Sequence, residues 1–172
     1  MILGLSIATF TLVHVIISLI GIATGLVVLA GMLRGKRLVG WTCIFLATTV
    51  LTTLTGFLFP ISAFTPALGT GVVSTIILTF ALLALYVFHL AGAWRAIYVV
   101  SAVAALYLNV FVAVVQSFQK LGPLQELAPT QSEPPFLAAQ GIVLALFVIA
   151  GFIAVRNVPA LGRLAAITRE RQ

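Results

Sequence analysis

The chain has 172 residues, 62% hydrophobic and 7% charged, with mean hydropathy +1.27 and formal net charge +6. Soluble domains carry about 25% charged residues, so the composition excludes an ordinary water-soluble fold and puts the chain in the membrane class. The surplus of positive charge does not point to nucleic acid, because it sits in short segments between apolar runs; anionic lipid headgroups suit it better. A single cysteine, Cys43, excludes an internal disulfide and a thiolate metal cluster and reads as a packing thiol.

The basic residues cluster as Arg34, Lys36 and Arg37, then Arg95, then Arg156, Arg163, Arg169 and Arg171. Between them lie uncharged stretches of roughly 20 residues or more, enough to cross a bilayer. The first run has no basic residue before it, as a secretory signal would. It is too long for one perpendicular crossing, so the residues before Thr9 are expected as an interfacial lead and the span as 9–33. The second span covers 41–60, with Pro60 and Pro66 bracketing a short turn. The third covers 71–91 and the fourth 96–118. A polar loop, 119–135, carries Lys120, Glu126 and Glu133, and the fifth span comes next at 136–155.

Lysine and arginine accumulate on the cytoplasmic side of membrane spans. With five spans, every basic residue except Lys120 falls on one side; an even number would misplace the first or the last cluster. The expected fold is therefore an all-α membrane bundle of five transmembrane helices, N-terminus out and C-terminus in. The 157–172 tail, with Arg163, Arg169 and Arg171 among Leu and Ala, reads as a cytoplasmic basic amphipathic helix.

Polar and small residues recur at helical spacing in four spans: Thr11, His14, Ser18, Gly21 and Gly25; Trp41, Phe45, Thr48, Thr52, Thr55 and Phe59; Thr75, Thr79, Tyr86, His89 and Ala93; Tyr98, Ala102, Ala105, Asn109 and Gln116. Such seams let helices approach closely and hydrogen-bond across the interface, so they are expected to face the bundle interior, or alternatively a polar cavity. His14, Thr48, Thr52, Asn109 and Gln116 are the candidates for interhelical polar contacts, with Asn109 pairing to threonines of the second span. Threonine can also bond back to the carbonyl one turn earlier.

His89 has Tyr86, Trp94, Arg95 and Tyr98 for company at the inner boundary. One reading is an aromatic belt with a snorkelling arginine; the other is a pocket for a quinone or a lipid headgroup. A b-type haem between His14 and His89 is disfavoured, because bis-histidine ligation needs both imidazoles at one depth and the topology puts them near opposite faces. No charge lies within a span, which argues against proton coupling. No hydrolytic triad and no metal-ligand cluster is visible.

In the 119–135 loop, Ser132 or Glu133 can cap the fifth helix, with Pro134 and Pro135 in its first turn. Glu126 and Lys120 are placed to pair across Pro123. The stretches FLATTVLTTLTGFLFP (45–60), WRAIYVVSAVAALYLNVFVAVVQSF (94–118) and APTQSEPPF (128–136) resemble small multispan proteins of proteobacterial genomes. That resemblance implies a bacterial inner-membrane location in an uncharacterised family, and no activity comes with it. The expected function is a non-catalytic accessory or assembly subunit of a larger membrane complex, with lipid and other membrane subunits as partners and no nucleic acid. The alternatives are a quinone- or haem-binding redox-associated protein and a small-solute carrier or channel.

Overall fold

The computed structural model describes residues 1–60 and 66–157. Those residues form helices α1 (Ile7–Leu33), α2 (Val39–Phe57), α3 (Pro66–Leu82), α4 (Trp94–Lys120), α5 (Gly122–Leu127) and α6 (Pro134–Arg156). A π-helical turn, Leu83–Val87, continues α3. There are 5 helices long and apolar enough to cross a membrane, α3 counting with its π turn. These five helices fit a multi-pass membrane protein, and their apolar surfaces suit contact with lipid.

Helix ends obey local chemistry and shift the expected boundaries. Ser6 caps α1, its hydroxyl accepting from Thr9 N at 3.1 Å, so the helix starts at Ile7. The preceding residues close on themselves through an Ile2–Leu5 bridge. At its other end, Lys36 N donates to Gly31 O (2.8 Å) and Gly35 N to Met32 O (3.0 Å), with Gly35 at φ +64°. This paired closure needs a left-handed residue, which glycine supplies. The resulting tight turn folds α2 back along α1. The α3 helix begins at Pro66, earlier than expected; 61–65 lie outside the described residues. So does the 158–172 segment that holds the expected basic amphipathic helix.

α4 is the central helix, touching α1, α2, α3, α5 and α6. Its inward face carries Val99, Ala102, Ala105 and Leu106, which join Ala81, Ala84, Phe45, Leu46 and Ala154 in the main core. Alanine at these contacts lets backbones approach, which is how helices associate in lipid. α6 is peripheral: only Phe136 and Ala154 are buried along it. Side-chain amides hold it in place. Gln140 Nε2 donates to Phe111 O (3.2 Å), and Asn157 Nδ2 donates to Leu33 O (2.7 Å).

The third polar stripe does not face the interior. Thr75, Thr79, Tyr86, His89 and Ala93 are all exposed, and Ser74, Leu78, Ala81, Ala84 and Leu85 are buried instead. The reason is that Thr75 and Thr79 donate to the carbonyls of Gly71 (2.9 Å) and Thr75 (2.8 Å), so neither hydroxyl needs a neighbouring helix. Beyond them, the π turn adds a residue to the helical repeat and rotates the segment C-terminal to it.

Asn157 beside Leu33 brings the C-terminal end of α6 to the end of α1, so Arg34, Lys36, Arg37 and Arg156 share one end of the bundle. Arg95 lines the same cleft as Lys36 and Arg37 and belongs there too. Lys120, Glu126 and Glu133 lie at the opposite end. Lys120 and Glu126 form no ion pair. The loop contains the short α5, which the residue pattern did not signal. Glu133 occupies the N-cap of α6, with Pro at the start of the helix, but its carboxylate turns back into the loop and makes no cap bond. It accepts from Thr130 N (3.0 Å), Thr130 Oγ1 (2.8 Å) and Ser132 N (3.0 Å).

This packing predicts two outcomes. A Cβ on Gly25 would stand 2.5 Å from Leu106 Cδ1 and 2.8 Å from the Phe45 ring, whereas one on Gly40 would meet nothing within 4 Å. Gly25→Ala is expected to destabilise the bundle by about 1–2 kcal/mol, the overpacking cost less the helix-propensity gain; Gly40→Ala is expected to be neutral or better, both read from unfolding curves in mixed micelles. For Glu133, desolvation pushes the carboxyl up, but the donors from Thr130 and Ser132 and its own amide outweigh it and hold the pKa below 4.5. The loop contacts are therefore complete above the ordinary carboxylate range and are lost as pH falls through the lowered value. The Thr130 and Ser132 amide signals should titrate below pH 4.5 by NMR, and Glu133→Gln should abolish that titration.

Candidate functional site

The residues singled out by the sequence gather in two places. The first is a polar seam between α1, α2 and α4, in the half of the bundle away from the arginines. His14 Nδ1 lies 2.7 Å from Thr55 Oγ1, whose own hydroxyl is directed at Leu51 O at 2.7 Å. That arrangement assigns the donated proton to the imidazole Nδ1 and leaves Nε2 as the acceptor. The Phe59 ring meets the imidazole edge-on at 5.3 Å. One turn further, Ser18 Oγ donates to His14 O (2.7 Å) and lies 3.3 Å from Thr52 Oγ1.

Deeper along the seam, Asn109 Nδ2 donates to Thr49 Oγ1 at 3.2 Å. Gly21 leaves room for this pair, since a Cβ there would stand 3.3 Å from Thr48 Oγ1 and 3.6 Å from Asn109 Nδ2. Thr48 itself bonds back to Ile44 O (2.8 Å), so the partner of Asn109 is Thr49, which the helical stripe of α2 did not include. Gln116 is half-buried and makes no hydrogen bond; Gln131 and Gln140 supply the amides that reach α4 backbone carbonyls instead.

The second place is a cleft of about 140 Å³ at the basic end, between the α1–α2 turn, the segment after the π turn and the first turns of α4. Its polar wall is Lys36, Arg37, Thr42, His89, Arg95 and Tyr98. Val28, Met32 and Leu90 supply an apolar floor. The backbone builds one wall by an unusual reversal. Phe88 N closes the π turn on Leu83 O (2.9 Å), and Leu90 N reaches Ala84 O (2.9 Å). His89, Leu90 and Gly92 then take φ of +47°, +59° and +51°. Non-glycine residues rarely adopt this region, and both His89 and Leu90 line the cleft.

Trp94 stacks on Phe88 at 3.7 Å with only 4° between the rings and clamps the reversal from outside. Of the five residues grouped around His89, then, His89, Arg95 and Tyr98 line the cleft, Trp94 braces the turn and Tyr86 is exposed and does not line it. Lys36, Arg37 and Thr42 were not among the residues expected there. Their signal was available, since the first basic cluster and Arg95 were assigned to the same side.

Tyr98 is 2% exposed, and its hydroxyl makes no hydrogen bond although Thr42 is its polar neighbour. A buried hydroxyl without a partner carries a desolvation cost of about 1–3 kcal/mol. The two described carboxylates, Glu126 and Glu133, are at the other end, so the three cations face no acid among the described residues. His14 and the cleft stand about 27 Å apart along α1, counting its rise from His14 to Met32, so one iron cannot take both imidazoles. Among the described residues, no three His, Cys, Asp or Glu side chains gather to hold a metal. Comparison with protein-family models, with curated proteins and with solved structures finds no match.

Among the described residues, the Asn109–Thr49 bond is the one side-chain hydrogen bond between α4 and α2. Asn109→Ala is expected to cost about 0.6 kcal/mol, and at most about 1.7, the range for such bonds in membranes. Denaturation in bicelles measures it, with Gln116→Ala as the reference change that should leave the curve in place.

Proposed function

We propose that this chain is a non-catalytic protein of the bacterial inner membrane that serves as an accessory or assembly subunit of a larger membrane complex. Its N-terminus faces outward and its C-terminus the cytoplasm, a reading supported by the clustering of basic residues at one end. The observation that carries the subunit role is the free face of α6. Exposed leucine and isoleucine need no partner in hydrocarbon, but Ala138, Gly141 and Ala145 are exposed together along one side of that helix. Small residues at such spacing leave a shallow groove into which another helix backbone can settle. Gly40, Cys43 and Ala47 make a similar strip on α2.

Purification from native membranes in mild detergent is expected to recover other membrane subunits with the chain. Gly141→Leu and Ala145→Leu should release them while leaving the bundle's own unfolding unchanged, because neither residue packs inside it. Recovery of the wild-type chain alone, as a monodisperse species, would overturn the reading. A reporter fused after Arg37 that reads as periplasmic would overturn the orientation.

A further inference from the structure

We propose that the cleft at the basic end binds a phosphate-bearing ligand. Lys36, Arg37 and Arg95 hold the phosphate oxygens, the Tyr98 hydroxyl donates to one of them, and Val28, Met32 and Leu90 flank whatever apolar part the ligand carries. The inference stands apart from the accessory role, because it concerns a different end and face of the molecule.

Four observations converge on it. Three cations from two separate hairpins line one small cavity, and no described carboxylate is near to neutralise them. Arginine presents a planar fork that matches phosphate oxygens in pairs, and lysine adds a point charge. Tyr98 lines the cavity, and its buried hydroxyl has no acceptor at hydrogen-bonding geometry in the protein, so a ligand oxygen that reaches it would supply one. The floor below these groups is aliphatic, which suits an amphiphile whose head sits at the membrane boundary. A phosphate group, with several oxygens and up to two charges, matches three cations and a hydroxyl better than a carboxylate does.

Either a phospholipid or a soluble phosphate ester could bring that group. The test separates the two, and it separates a built site from the general attraction of basic residues to anionic lipid. The full chain is purified in detergent and mixed with phosphatidic acid and phosphatidylcholine, and bound lipid is counted by native mass spectrometry. Phosphatidic acid should be retained over phosphatidylcholine. Arg37→Gln and Arg95→Gln should each lower its retention about tenfold, as loss of a charge-assisted hydrogen bond does. Tyr98→Phe should lower it by a smaller factor. Arg34→Gln, in the same basic cluster but outside the cleft, and Lys120→Gln, at the far end, should change nothing.

Arg37 is exposed, so its replacement leaves the fold intact and keeps the test valid if Tyr98→Phe unfolds. Displacement of the lipid by millimolar inorganic phosphate would assign the site to a soluble phosphate compound, and resistance to it would assign a lipid; both support a phosphate site. Equal retention of the two lipids, equal loss with Arg34→Gln, or unchanged retention in both Arg37→Gln and Arg95→Gln would overturn the proposal.

Discussion

Lipid tails are as apolar as leucine, so these helices gain little from hiding hydrophobic side chains and hold together by contact. Among the described glycines, Gly25 is the most tightly enclosed, against Phe45 and Leu106, where three helices meet and no Cβ could be admitted without displacing the ring. Alanines extend the same rule outward: Ala81 and Ala84 on α3 and its π turn, Ala102 and Ala105 on α4, and Ala154 on α6 are all buried in one core. α4 is central because it presents small residues to its neighbours along much of its length. α6, with one buried alanine and one buried phenylalanine, is held in addition by amides donating to carbonyls of other helices.

The same solvent dictates where polar groups go. Water is absent from the hydrocarbon, so a hydroxyl there gains by bonding to its own helix or to another. Most threonines here take the first course, bonding one turn back, and this frees them to sit on either face. Where a hydroxyl faces an imidazole or an amide, the helices become stitched together, as at His14–Thr55 and Asn109–Thr49. These contacts lie in the half of the bundle remote from the arginines. The basic end has the Asn157–Leu33 bond, and beside it a cavity and an unpartnered tyrosine hydroxyl.

The two ends therefore differ in kind. At the loop end, Phe118 packs on Phe136 and Glu133 gathers the donors of its own turn, so that carboxylate is satisfied locally. At the basic end, the π turn and three left-handed residues redirect the chain to bring the α3–α4 connection over the α1–α2 turn. Backbone held in sparsely populated conformations is a feature of binding sites. The surplus of cations there has no described counter-charge within the protein.

Much of this was legible in the residues. Long uncharged runs determined how many helices are long and apolar enough to cross a membrane, the placement of arginine and lysine determined which ends lie together, and Gly21, Gly25 and Asn109 marked close or polar contacts. The face of α3 was not legible: Thr75 and Thr79 look like interior residues by spacing, yet a threonine that bonds to its own backbone carries no information about which side is buried. Nor was the cleft, because Lys36 and Arg37 meet His89, Arg95 and Tyr98 only when one hairpin packs against the other. Hydropathy and charge are local sums along the chain, and they determine depth in the membrane. Which side chains share a cavity is decided by the rotation of each helix about its own axis, and only the packed bundle sets that.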